Sequence, residues 1–215
     1  MSAIAIAPEF AVHGVTWVPD AAAPMLSFEL GVTETSGREV FTIALTAQIN
    51  INPARRAYDA PTREALVDLF GPPERWAATT NSFVWAHVSA LVPSFTGETT
   101  FGLRVPCTYD LELAAVKYFH SLPDGEVPLS FHFAGSVLYR GDAGEVQVVL
   151  IPWTCSADWG LPIATWRAMM DHHYPNGGWV RLHADTVAAL AAHRERSALP
   201  SYDACIAALL EAAGG

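Results

Sequence analysis

Three adjacent residues, Asp171, His172 and His173, carry the side chains best suited to binding a metal ion. Carboxylate and imidazole groups ligate zinc and iron, and His132 or His120 would complete such a site. Neighbouring residues of a helix point about 100° apart, so adjacent histidines seldom bind one ion. The alternative interpretation is a helix C-terminus before Pro175, where imidazolium groups interact favourably with the helix dipole.

A second group of reactive side chains surrounds Cys107, which follows a predicted strand. His120 or His132 would act as its base if folding brought either imidazole to the thiol. The neighbouring residues offer little that would stabilise a thiolate. The alternative is a small buried cysteine, with Asp110 as the N-cap of the following helix.

Carboxylates suited to acid–base catalysis occur at four positions, and their spacing fixes no catalytic pair. They are Asp110, Glu112, Glu126 and Asp171. The sequence contains no GxSxG, GxGxxG or P-loop motif. We therefore assign no catalytic residue and expect no cofactor.

Four of the seven tryptophans lie around one strand-to-helix junction. They are Trp153, Trp159, Trp166 and Trp179. Large amphipathic rings of this kind line ligand pockets and protein-binding grooves, so these four are the candidate binding residues. The alternative is that they pack the C-terminal helices onto a sheet.

The clearest structural pattern is the alternation of apolar with small or polar residues from Phe41 to Ile51. Side chains of a strand point alternately to opposite faces, so the pattern predicts one long strand with a single buried face. At about 3.3 Å per residue it would span roughly 35 Å. Val127 to Tyr139 repeats the pattern, with Gly135 interrupting it as at a bulge or a close backbone approach.

The remaining pattern predicts further strands before residue 152 and helices after residue 160. The predicted strands include 26–32, 80–92, 96–106 and 145–152, and the predicted helices are 61–70, 111–122, 161–174, 184–196 and 202–213. A run of strands followed by a run of helices indicates an α+β fold with an antiparallel sheet.

The composition excludes several classes of partner. The chain has 215 residues, 51% hydrophobic residues and a net charge of −10, with Lys117 as its single lysine. No basic stripe is available to neutralise phosphates, so we expect neither nucleic acid nor a membrane as partner. Three separated cysteines and an N-terminus without a basic segment indicate a cytoplasmic protein without disulfide bonds.

Several segments resemble an uncharacterised family found mainly in high-GC actinobacteria. The segments are 48–53, 69–71, 105–119, 125–135 and 161–175. Members of that family are often encoded in gene clusters of oxygen-tolerant nickel–iron hydrogenases, so the resemblance implies an accessory or maturation role. A fainter resemblance, in overall shape alone, is to the export chaperone SecB, which has long alternating strands and C-terminal helices.

Together these observations predict one α+β domain over residues 1–215, strand-rich over 8–152 and helical over 160–213. A twisted antiparallel sheet of about six to seven strands would carry helices on one face. Its predicted core face includes Phe41, Ile43, Leu45, Ile49, Phe131 and Phe133.

The predicted function is a non-catalytic accessory or chaperone-like protein. It would bind a protein client, a hydrogenase subunit or maturation factor, through an exposed apolar patch or a long sheet edge. Homodimerisation through that edge is the second use of the same surface. The alternatives are an enzyme or metal-binding protein that uses the Asp171 cluster, and a small-ligand carrier that uses the tryptophans.

Overall fold

The computed structural model describes residues 6–107, 113–175 and 182–214. It contains two compact units, Met1–Asn176 and Gly177–Gly215. All the described strands belong to the first unit, and the second is helical. The predicted α+β class, with antiparallel strands and a helical C-terminal part, is confirmed.

Nine strands and seven α-helices occur in the described residues. The strands are β1 Glu9–Trp17, β2 Met25–Thr33, β3 Glu39–Ile51, β4 Phe83–Val92, β5 Phe95–Thr96, β6 Glu98–Pro106, β7 Glu126–Arg140, β8 Val146–Leu150 and β9 Ser156–Pro162. The helices are α1 Ala60–Ala65, α2 Val67–Phe70, α3 Trp76–Thr79, α4 Leu113–Ser121, α5 Ile163–His173, α6 Ala184–Arg196 and α7 Tyr202–Ala213.

The strands form two antiparallel sheets where the sequence suggested a single one. One sheet has the order β1-β2-β6, and the other has the order β4-β3-β7, with β8 and β9 both paired to β7 and β5 paired to β3. Their apolar faces pack together, as the rings of Phe28 in β2 and Phe131 in β7 lie 5.1 Å apart. Each sheet therefore covers the face of the other, because an apolar sheet face must be buried against a second layer.

Strand β3 has the predicted buried face except near its N-terminal end. Ile43, Leu45 and Ile49 are buried as predicted. Phe41 was assigned to the same face, and this was wrong, because the register with β7 shifts between Val40 and Thr42. The bulge buries Val40 in its place and leaves the Phe41 ring half-buried.

Gly135 makes the close backbone approach that its position in the alternating series predicted. It lies opposite Leu45 with φ +140°, and a Cβ there would lie 2.0 Å from the Ala44 carbonyl oxygen. Real Cβ atoms do not approach a carbonyl so closely, so β3 and β7 can pair here only through glycine.

Strand β9 was not predicted as a strand. Its pairing with residues 126–132 of β7 places Ala157, Trp159 and Leu161 on one side, and Leu161 is buried. The predicted helix over 161–174 accordingly begins two residues later, at Ile163. Short strands that contain glycine give a weak sequence signal, because their pairing partners supply most of their stability.

The second unit consists of α6 and α7, whose bounds agree with the prediction. The Ser201 hydroxyl accepts from the Ala204 N–H at 3.1 Å and caps α7. Cys205 is buried within the described residues, and the Arg194 guanidinium lies 4.6 Å from the centre of the Tyr202 ring. Among the helices that the structure describes, none combines the length and the apolar character needed to cross a membrane.

Candidate partner-binding surface

The candidate tryptophans lie in different surroundings. Trp153 lies in the loop after β8 and is 90% exposed, whereas Trp166 in α5 is buried in the core. Trp159 in β9 is half-buried, and its indole N–H is buried without a hydrogen-bond partner. Trp179 lies outside the described residues. The structure therefore gives the three described tryptophans no common pocket.

The candidate metal ligands do not form a binding group. The His172 ring lies 4.6 Å from the Trp17 ring at an interplanar angle of 44° and meets the His173 ring edge-on at 5.3 Å, while Asp171 is exposed. His132 lies on β7 opposite Ser156 of β9, with its side chain exposed. Within residues 6–107, 113–175 and 182–214, no three His, Cys, Asp or Glu side chains are placed to hold a metal ion.

Cys107 is a buried thiol directly after β6. It donates to the Val105 carbonyl oxygen at 3.4 Å, and burial raises the pKa of the thiol to about 12. A thiol with such a pKa is neutral under physiological conditions and is a poor nucleophile. The Asp110 N-cap, predicted beside it, lies outside the described residues.

We expect native Cys107 to resist alkylation at pH 8. With a pKa of about 12, its thiolate fraction there is on the order of 10⁻⁴, so iodoacetamide should react about a thousand times more slowly than with an exposed cysteine. Mass spectrometry of the labelled peptides measures this rate. The control is the protein unfolded in urea, and equal labelling of Cys107 in native and unfolded protein would contradict the assignment.

Polar side chains on the outer face of the larger sheet form hydrogen bonds and an ion pair with one another. Asp158 pairs with Arg55 at 2.9 Å and accepts from the Ser130 hydroxyl at 2.7 Å. The Ser130 hydrogen bond and then Arg55 hold the pKa of Asp158 below its usual value. Asn52 also donates to Ser130 at 2.7 Å. This network joins the end of β3 to β7 and β9, so its role is structural. Its residues are distant in the sequence and come together only because the strands pair.

Strand β8 presents an apolar surface on the same outer face. Val146 and Val148 are each 61% exposed, and Leu150 is 72% exposed. They lie opposite Arg140, Leu138 and Ser136 of β7, respectively. Leu138 is half-buried and extends the apolar area. We call the four residues Leu138, Val146, Val148 and Leu150 the β8 patch.

The β8 patch continues toward β4 across small residues. Leu150 shares a row across the sheet with Ser136, Ala44 and Leu91, and Leu91 is 74% exposed. Strands lie about 4.8 Å apart, so the two leucines flank a shallow strip roughly 14 Å wide. Apolar side chains grouped in this way on a surface usually mark an interaction site.

No strand in the described part of the chain pairs with β8 on the side away from β7. Directly after β8, the Ile151 N–H donates to the Gly135 carbonyl oxygen at 3.0 Å. Every second residue of an antiparallel strand bonds to a given neighbour, so Gln147 and Val149 also bond to β7. The remaining N–H and C=O groups point to the open side, and they belong to Val146, Val148 and Leu150.

This edge lacks the devices that usually prevent strand pairing. Edge strands of monomeric proteins tend to carry lysine, proline or a bulge. Residues 146–150 contain no charge and no proline, and the single lysine lies in α4. Arg140, at the neighbouring end of β7, is held by Glu39 at 2.7 Å and lies over the Phe41 ring. The β8 patch therefore combines exposed apolar side chains with an unprotected edge in the described structure.

The sequence predicted a strand here but not its exposure. The alternating pattern predicts which residues of β8 share a face of the sheet. The position of β8 at the end of the sheet depends on which strands pair. A signal was nevertheless present, because both apolar and polar positions of 146–150 are uncharged in a chain with net charge −10.

A protein-family model matches residues 5–215, and it is described as DUF6084, a family of unknown function. No curated protein matches the chain.

Solved structures give weak matches. A late embryogenesis abundant (LEA) protein is 13% identical, with 72% of this chain and 70% of that chain covered and a TM-score of 0.32. An ApaA protein from Bordetella pertussis is 12% identical, with coverages of 73% and 93% and a TM-score of 0.23. The β-glucosidase 3B from Thermotoga neapolitana is 9% identical, with coverages of 72% and 17% and a TM-score of 0.26.

Proposed function

Because the chain belongs to the DUF6084 family, whose function is unknown, we propose its function from its surface. It is a non-catalytic accessory or chaperone-like protein that holds an extended segment of a client polypeptide along β8. The observation that carries this proposal is the β8 patch, where exposed apolar side chains lie beside unprotected backbone groups. An extended peptide added to such an edge gains main-chain hydrogen bonds and buries alternate side chains.

The dimensions and charge of the edge define the client segment. Five residues of β8 span about 17 Å, which matches a client strand of five to seven residues. Its side chains on the outer face of the sheet would be apolar and β-branched, since they meet Val148 and Leu150. A net charge of −10 favours basic residues flanking that strand, because opposite charges speed and orient association.

The client that we propose is a subunit or maturation factor of a nickel–iron hydrogenase. Support comes from the resemblance of segments 48–53, 69–71, 105–119, 125–135 and 161–175 to a family encoded in hydrogenase gene clusters. The holding role is proposed by analogy with SecB, to which the sequence pattern has a faint resemblance in overall shape. A cytoplasmic location is part of the same proposal.

Substitution of Leu150 by lysine tests the apolar part of the surface. The probe is a fluorescein-labelled peptide, Arg-Val-Thr-Val-Thr-Val-Arg, followed by fluorescence anisotropy. We expect Leu150→Lys to weaken peptide binding about tenfold. The substitution replaces an apolar contact that the bound peptide would bury with a charge that repels the arginines of the peptide. Leu210→Lys is the matched control, since Leu210 is 68% exposed and lies in the other unit. This variant should bind the peptide as the wild type does.

Two results would contradict the client-binding proposal. One is a wild-type protein that fails to bind the peptide at millimolar concentration, or that binds it no better than Leu150→Lys does. The other is a wild-type dimer, seen by light scattering, that Leu150→Lys converts into monomers. That result would assign the β8 edge to a second copy of the chain.

Co-expression tests the hydrogenase client. The large and small hydrogenase subunits are expressed separately with the tagged wild type or with Leu150→Lys. We expect one subunit to co-purify with the wild type and to be lost with the variant, while Leu210→Lys retains it. Equal recovery with all three proteins would exclude the β8 patch as the contact.

A further inference from the structure

A cavity of about 300 Å³ lies between β4, the end of β6 and helices α4 and α5. Its described lining includes Trp85, Cys107, Ala115, Val116, Phe119 and Trp166. All of these side chains are buried except Val116, which is half-buried. This cavity is on a different part of the first unit from the β8 patch and shares no residue with it.

The bulge in β4 creates the aromatic wall of this cavity. Ile49 of β3 lies opposite Ala86, and Asn50 lies opposite Val84, so Trp85 is an extra residue without a partner position. An extra residue turns a side chain out of the normal alternation. Trp85 is consequently buried at the cavity, where its ring meets Phe119.

The rings in the wall hold one another in fixed orientations. The Trp85 and Phe119 rings are 5.3 Å apart at 89°, and the Phe119 and Trp166 rings are 5.2 Å apart at 56°. Phe28 supports Trp85 from the core at 6.4 Å. Edge-to-face contacts between buried rings stabilise such an arrangement, so the wall is preorganised for a flat ligand.

We propose that this cavity binds a neutral bicyclic aromatic molecule of the size of indole. An apolar cavity of about 150 Å³ holds benzene, and this one has about twice that volume. The described lining contains no Asp, Glu, Lys or Arg, and its imidazole, that of His87, is exposed and lies 3.1 Å from the Gln48 side-chain oxygen. A charged ligand would therefore lose its hydration without a buried charge to compensate. The ligand class follows from this combination of ring faces, volume and missing charge.

The test is binding of 5-fluoroindole, followed by fluorine NMR line broadening. We expect the wild type to bind it and Ala115→Phe to reduce its affinity about tenfold or more, because the added ring fills the cavity. Ala114→Phe is the matched control, as Ala114 is the preceding residue of α4 and does not line the cavity. Val116→Trp, at a half-buried position, blocks the same space if Ala115→Phe does not fold.

Two outcomes would overturn the cavity proposal: no binding of 5-fluoroindole at the limit of its solubility, or equal binding by the wild type and a folded filled variant. Leu150→Lys should leave 5-fluoroindole binding unchanged, so failure of the client proposal and failure of the cavity proposal are distinguishable. A thermal unfolding curve of each variant establishes that it is folded.

Discussion

Replacing Gly135 with alanine is expected to lower the free energy of unfolding by about 3 kcal/mol or more. A Cβ there would lie 2.0 Å from the Ala44 carbonyl oxygen, and φ +140° is itself unfavourable for alanine. The strands β3 and β7 would have to separate at the centre of the sheet. For a unit of this size the midpoint of thermal unfolding should fall by roughly 6–12 °C, measured by circular dichroism.

Gly144→Ala separates the clash from the backbone conformation. Gly144 has φ +87° in the β7–β8 turn, and nothing lies within 4 Å of its added Cβ. The Gly144→Ala substitution should therefore lower the free energy of unfolding by only about 1 kcal/mol. Equal destabilisation by the two substitutions would show that the close approach at Gly135 is not what limits stability.

The Gly135 substitution should also affect the binding surface. The Gly135 carbonyl oxygen accepts from the Ile151 N–H, which anchors the residue directly after β8. A shift of β7 at Gly135 would displace this anchor and loosen the edge. We therefore expect Gly135→Ala to bind the valine–threonine peptide more weakly than Gly144→Ala does.

Val148→Pro is expected to reduce peptide binding about tenfold or more, with little loss of stability. The Val148 N–H points away from β7, so proline removes a donor from the open edge and leaves the β7–β8 hydrogen bonds intact. Its ring also obstructs the approach of a second strand. Anisotropy titration and thermal unfolding measure the two effects separately.

Two control variants show whether the effect of Val148→Pro comes from the loss of the outward N–H. Val148→Thr keeps both the N–H and the β-branched shape, so it should retain most of the binding. Val149→Pro removes a donor that bonds to β7 and should lower stability clearly. Unimpaired peptide binding by folded Val148→Pro would contradict strand addition at β8 and leave only side-chain contact.

Much of the secondary structure could be predicted because it follows from local periodicity. The long strands β3 and β7 and the helices α6 and α7 are encoded by alternation or by capping residues such as Ser201. The separation into two sheets was not predicted, since alternation identifies a buried face but not the layer that covers it. Phe41 was placed on the wrong face because a bulge reverses the alternation.

The candidate site could be predicted only as a kind of surface. An open edge or apolar patch followed from the lack of catalytic motifs and from the long strands, but the location of β8 at the edge required the strand order. The same reason applies to Arg55, Ser130 and Asp158, which meet only because β9 pairs with β7. The cavity wall depends on the bulge at Trp85, which no local pattern indicated.

The most direct test of strand addition is amide hydrogen exchange of β8, measured by NMR with and without the valine–threonine peptide. We predict that the peptide slows exchange at Val146, Val148 and Leu150, whose N–H groups point to the open side. Gln147 and Val149, which already bond to β7, should change little. Uniform protection along β8, or no protection at all, would contradict the proposal that β8 binds its client as an added strand.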